Sequence, residues 1–176
     1  MLKYTGYIRK IRYYSESSHY IVALLEVEED QELLTMNGYM SNFNDYDKYA
    51  FYGDFEIHPK YGQQFKLDHY EIVLSTDEEE IIKYLSSPLF KGIGPTQAKY
   101  IVDALGENAL SLIKEDKHHL DLVKGMTVAK RELIYEVLTS NDYDQEVTQF
   151  FMGHGISLRH IGIIQETYKE KTLEIL

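Results

Sequence analysis

Two spacings of apolar residues divide this chain. Over the first 74 residues they fall in short runs between turn formers. Residues 5–14 mix β-branched, aromatic and basic side chains in loose alternation, and residues 19–27 carry Ile21, Val22, Ala23, Leu24, Leu25 and Val27. Residues 33–40, 49–57 and 63–74 continue the series. Ser15-Glu16-Ser17-Ser18, Glu28-Glu29-Asp30, residues 42–47 and His58-Pro59-Lys60-Tyr61-Gly62 punctuate it. Such runs predict five strands. Beyond residue 75 the spacing turns helical: Ile81, Ile82 and Leu85, then Ala98, Ile101, Val102 and Leu105 before Gly106. Thr76 and Glu79 fit a capping box, with Asp77 to Glu80 placing negative charge at the helix start. Further helices are expected at 108–114, 120–123, 128–138, 144–152 and 157–168.

The expected fold class is α+β by domains. Residues 1–75 predict a small five-stranded barrel of the OB type, because closure removes exposed strand edges from so small a unit; an SH3-like barrel is the rival. Residues 76–176 predict an all-α module, with the boundary in Ser75-Thr76-Asp77-Glu78-Glu79-Glu80.

Charge and composition narrow the chemistry. The 176 residues carry 18 Lys and Arg against 29 Asp and Glu, a formal net charge of -11. Bulk attraction to nucleic acid is therefore excluded, and any such binding must be local. The strand-rich part is the more acidic: residues 1–86 hold 8 basic and 16 acidic side chains. With no cysteine, thiol catalysis, disulfides and Cys-ligated zinc are excluded. No apolar run nears the roughly 20 residues that span a bilayer. The start, Met1-Leu2-Lys3-Tyr4-Thr5-Gly6-Tyr7, lacks a leader's apolar stretch. Cytoplasmic localisation without membrane association is the expectation.

The most informative stretch runs Leu89-Phe90-Lys91-Gly92-Ile93-Gly94-Pro95-Thr96-Gln97-Ala98-Lys99. An apolar residue, a Gly-Ile-Gly turn and a helix are the pattern of a helix-hairpin-helix motif. Gly92 and Gly94 let a phosphate approach the main chain, and Ile93 anchors the turn inward. The helix opening at Pro95 offers unpaired N–H groups and a positive dipole end. Lys91 and Lys99 would add charge, and Thr96 a hydrogen bond. Such a site reads backbone rather than bases. The structural alternative is a tight turn between helices with glycine at a C-cap. Weaker copies follow at Lys124-Gly125-Met126-Thr127 and at Gly155-Ile156-Ser157. Gly92 and Gly125 are 33 residues apart, and Gly125 and Gly155 are 30, so tandem hairpins are expected, with these two copies open to either a binding or a structural role.

Other candidates carry less. The seven histidines include no His-x-x-x-His or His-Glu-x-x-His spacing, so no metal site is expected. His118 and His119 are adjacent, His154 and His160 are six apart, and His58 before Pro59 reads as a turn residue. Asp45 and Asp47 read as loop residues, and no carboxylate pair has a nuclease arrangement. Of 16 tyrosines, 11 lie within residues 1–70. Tyr7, Tyr13, Tyr20, Tyr39, Tyr52 and Tyr70 are either stacking platforms for single-stranded bases or ordinary strand residues. Arg9, Lys10 and Arg12 form the one basic cluster there.

Thr5-Gly6-Tyr7-Ile8, His58-Pro59-Lys60-Tyr61-Gly62-Gln63-Gln64-Phe65, and Ile82-Lys83-Tyr84-Leu85-Ser86-Ser87 leading into Lys91-Gly92-Ile93-Gly94-Pro95 resemble the N-terminal region of a stand-alone RecD-like DNA helicase, a relative of the exodeoxyribonuclease V alpha subunit. The stretch from Gly155-Ile156-Ser157 to Tyr168 fits as well. The resemblance implies an OB-like domain, tandem helix-hairpin-helix motifs and a superfamily 1 motor that unwinds DNA 5′ to 3′ with ATP and Mg, in DNA repair and recombination. No Gly-Lys-Ser/Thr phosphate loop occurs here, so the chain is expected to be a fragment lacking the motor, and to bind no cofactor and hydrolyse no ATP by itself. The leading expectation is weak, salt-sensitive, sequence-independent DNA binding through the hairpins. A protein-docking module is the alternative, with the chain's own motor or a single-strand binding protein as partner. A third is a repair or resolution subunit with the same hairpins.

Overall fold

The computed structural model describes residues 1–29 and 33–140. They divide into two compact units, Met1–Val73 and a second that begins at Leu74. The first is all β: β1 (Leu2–Tyr14), β2 (Tyr20–Val27), β3 (Leu33–Tyr39), β4 (Lys48–His58) and β5 (Gly62–Val73). They close into a barrel in the order β1-β2-β3-β5-β4. All neighbouring pairs are antiparallel except β3 with β5, and β1 meets β4 to seal the sheet. This is the OB arrangement, and it disposes of the SH3-like rival.

Alternation explains the closure. Along β2 the side chains of Ile21, Ala23 and Leu25 are fully buried, while Tyr20, Val22 and Leu24 between them face outward. Phe51, Phe65, Met36, Met40, Ile8 and Tyr49 complete the core. The hydroxyl of Tyr49 accepts the Asn44 amide at 3.1 Å, and burial pushes its pKa well above the ordinary phenol value. Gly6 is the corner of the barrel. It pairs with Val27 on one side and Tyr49 on the other, and a Cβ there would lie 1.9 Å from the Glu26 carbonyl oxygen.

The second unit is helical: α1 (Glu78–Leu85), α2 (Pro95–Leu105), α3 (Ala109–Glu115) and α4 (Val128–Thr139). Short 3-10 turns cover Gly106–Asn108 and Lys117–Leu122. Ile81, Leu85, Phe90, Ile101, Ala109, Ile113, Leu120 and Ile134 fill its core.

Two expectations change. The expected capping box slips by one residue, since Asp77 and not Thr76 caps α1, its carboxylate accepting the Glu80 amide at 2.9 Å. Where a helix is expected at 120–123, residues 120–122 end the 3-10 segment that Asp116 caps, and the extended Val123 stops it. The helices expected at 144–152 and 157–168 lie outside the described residues. Among the described residues no helix is long and apolar enough to cross a membrane.

Candidate functional site

The segment joining α1 to α2 is a chain of tight turns. Phe90 N–H donates to Ser87 O at 3.0 Å, and Ile93 N–H donates to Phe90 O at 3.2 Å. Gly92 between them takes φ +86°, the left-handed region that other residues avoid. The turn points the Phe90 and Ile93 side chains into the helical core, where both are buried. Gly94 then extends the chain (φ -91°, ψ 175°) and caps α2, with Pro95 following it at the first helical position. Its carbonyl accepts Ala98 N–H at 3.0 Å. Having no side chain, it leaves the α2 N-terminus without a side-chain cap. The Thr96 and Gln97 amides of that first turn thus have no acceptor among the described residues.

Glycine at 94 is not required by the fold. Its φ is negative, and a Cβ there would meet nothing within 4 Å. The Cβ of a larger residue would occupy open space in front of the helix end. Lys91, Gly92, Gly94, Thr96 and Lys99 are all exposed around that space, with Ile93 beneath them. Lys91 and Lys99 form no ion pair among the described residues.

A shift of 33 residues reproduces this geometry. Val123 N–H donates to Leu120 O at 3.0 Å, Met126 N–H to Val123 O at 3.2 Å, and Arg131 N–H to Thr127 O at 2.9 Å. Gly125 has φ +77°, and Thr127 caps α4 in the same extended conformation as Gly94. One difference matters chemically. Thr127 Oγ1 accepts the Lys130 amide at 3.2 Å, so the second helix end is capped from within.

The two turns sit side by side. Gln97 Nε2, from the first turn of α2, donates to Lys124 O at 2.9 Å. Lys124 Nζ stands 5.4 Å from the centroid of the Tyr100 ring. Sequence reasoning missed both the Gln97 tie and the Thr127 cap. Thr before Val-Ala-Lys was a legible cap signal; the Gln97 contact spans 27 positions and had none.

Charge separates these helix ends from α1. The first turn of α1 holds Glu78, Glu79 and Glu80 behind the Asp77 cap, filling the positive dipole end with the chain's own carboxylates. The first turns of α2 and α4 hold no acidic residue. Further along, Arg131 is occupied: it donates to Asp121 at 2.9 Å and Glu132 at 3.1 Å. Lys117 also reaches Glu132 at 3.0 Å. The His118 and Arg131 hydrogen bonds hold the Asp121 carboxyl below its ordinary range, and those of Lys117 and Arg131 do the same for Glu132.

In the barrel the six singled-out tyrosines have different surroundings. Tyr70 packs on the core and donates to Ser41 O at 3.1 Å. Tyr52 stacks on His69 at 4.4 Å. Tyr7 is half-buried on β1. Tyr13, Tyr20 and Tyr39 touch in series, with ring centroids 6.2 and 5.4 Å apart. Arg9 pairs with Glu26 at 3.3 Å, whereas Lys10 and Arg12 have no ionic partner among the described residues. Asp47 is buried and accepts Asn44 Nδ2 at 2.7 Å, while Asp45 is exposed in the same loop.

His58 acts in its turn, its Nδ1 accepting the Lys60 and Tyr61 amides at 3.1 and 3.2 Å. His118 is hydrogen-bonded to Asp121, and His119 to Leu112 O. Among the described residues no group of three or more His, Asp or Glu is placed to hold a metal. The third copy, Gly155, Ile156 and Ser157, lies outside the described residues, as do His154 and His160.

Compared with known families, residues 1–75 match the model described as the OB-fold domain of the ATP-dependent DNA helicase YrrC. The barrel is therefore similar in sequence, as well as in topology, to a domain of a DNA helicase.

Proposed function

We propose that this chain is the accessory DNA-binding N-terminal region of a RecD-like, ATP-dependent DNA helicase. Residues 1–75 are its OB-like domain and residues 76–176 a tandem helix-hairpin-helix domain. Its first hairpin holds a DNA phosphate. Lys91, Gly92, Gly94 and Thr96 present main-chain and side-chain donors, Lys99 adds positive charge, and Ile93 anchors the turn from below. Lys124 and Gly125 belong to a second, weaker contact, and ATP and Mg belong to the helicase motor.

The observation that carries this reading is the uncapped start of α2 behind Gly94, with free amides, open space and no local carboxylate. An anion placed there gains hydrogen bonds and the helix dipole together. A phosphate backbone supplies such anions at regular intervals, and contacts to it carry no sequence information. The match of residues 1–75 to a helicase domain supports DNA as the source of the phosphate.

Titration of a labelled DNA duplex into the full chain tests the reading. Binding should weaken as salt rises and should not depend on sequence. Gly94→Leu should abolish it in a protein that melts as the parent does. Undiminished binding by that folded variant would refute the assignment.

A further inference from the structure

Among its described residues the helical unit leaves two large apolar side chains exposed, Leu122 at 74% and Val128 at 65%. Both border the second turn, three residues either side of Gly125. Apolar residues scattered singly over a surface need no explanation, but a pair confined to one turn does. The repeat sharpens the contrast. In the first turn Leu89 holds the place of Leu122 and packs on the helical core. Pro95 holds the place of Val128 and opens α2. The second turn therefore presents to solvent a leucine whose counterpart is packed away.

The surroundings of this pair are cationic. Lys124 lies within the turn and Lys130 in the first turn of α4. Neither forms an ion pair among the described residues. The carboxylates on either side in sequence are taken up. Asp121 is bonded to His118 and Arg131 at 2.9 Å each, and Glu132 to Lys117 and Arg131 at 3.0 and 3.1 Å. Thr127 Oγ1 closes the helix end, so the turn offers apolar surface beside two ammonium groups. The Gln97 bond to Lys124 O holds it next to the first turn.

We propose that Leu122, with Val128 beside it, is a wedge that enters a weakened base step of DNA, with Lys124 and Lys130 against the backbone. This rests on the phosphate grip proposed at Gly94 and adds the kind of DNA it serves, a duplex with a mispaired step. Next to a held phosphate lie the sugar and the base step of the same strand. An apolar side chain inserted there must unstack the bases, and the cost of doing so is least where pairing is already broken. The two cations make the turn complementary to the phosphates that flank such a step.

The test uses the full chain and two labelled duplexes of one sequence, one fully paired and one with a central mismatch. Each carries 2-aminopurine beside the central step, where unstacking brightens it. The parent should bind the mismatched duplex about tenfold more tightly, the scale of burying one leucine side chain, and should brighten its probe. Leu122→Ala should weaken the mismatched complex until the two affinities meet and leave the probe dark, in a protein that melts as the parent does. Leu122→Met should restore both signals. Equal affinities and a dark probe in the parent, or a preference and brightening that survive Leu122→Ala, would overturn the wedge and leave the grip standing. Binding of neither duplex would overturn the grip and the wedge with it. A self-association of the DNA-free chain that sediments as a dimer and is abolished by Leu122→Ala would assign the pair to a second copy, which also overturns the wedge.

Discussion

Gly94→Ser turns the difference between the two hairpins into an experiment. Position 94 has the same extended backbone as Thr127, and its Cβ site is empty. A serine hydroxyl there should accept the Gln97 amide as Thr127 Oγ1 accepts that of Lys130. Serine exceeds glycine as an N-cap by a few tenths of a kcal/mol, so the helical unit should melt at the same temperature or slightly higher. The same hydroxyl removes an amide from the proposed phosphate site. A hydrogen bond to a charged group contributes about 1.5–3 kcal/mol, and about 1.4 kcal/mol is tenfold in affinity. Duplex binding should therefore fall about tenfold or more while stability holds. Fluorescence anisotropy with labelled duplex at low salt, beside a thermal melt, reads both quantities. Full affinity in a protein at least as stable as the parent would show that the free amides at the α2 N-terminus do not hold the phosphate.

Other perturbations have equally definite outcomes. Gly6→Ala forces a Cβ into the Glu26 carbonyl, so the barrel should be lost or destabilised by several kcal/mol; urea unfolding followed by tyrosine fluorescence would detect it. Phe90→Ala removes a buried ring beneath the hairpin and should cost about 3–5 kcal/mol by the same measurement. Gln97→Ala breaks the tie to Lys124 O and should cost about 1 kcal/mol, with any loss of duplex affinity arising from the second hairpin. The depressed carboxyls of Asp121 and Glu132 favour the folded state above their unfolded pKa, near 4. That contribution is lost as pH falls through their folded values. Melting temperatures between pH 7 and 3 should therefore drop less steeply for Asp121→Asn than for the parent.

The strands were legible because each half-buried strand alternates and each turn carries its own residues. Predicted and observed limits differ by three residues at most, at the start of β1, where Leu2 to Tyr4 read as a terminus but pair with β4. The turn at Gly92 and the helix start at Pro95 were legible because left-handed φ at a glycine and a proline-led helix leave local marks. The capping box slipped because Thr76 and Asp77 are both good caps, and only the geometry decides between neighbours. The aromatic row was only half legible. Six tyrosines qualified by composition, but which three meet depends on the register of β1, β2 and β3. The helix at 120–123 failed because the six residues between the Asp116 cap and Val123 wind as one short 3-10 segment, a form suited to such short pieces.

The seam between β1 and β4 joins Leu2 with Gly53, far apart along the barrel's stretch of chain. During synthesis the first strand made must wait for the fourth before the sheet can close. The contacts of the helical unit, made after the barrel, lie closer in sequence, and local contacts form fast. On refolding, then, helical circular dichroism should recover ahead of the burial of Tyr49, and a ribosome halted soon after residue 50 should hold an unclosed, protease-sensitive ribbon.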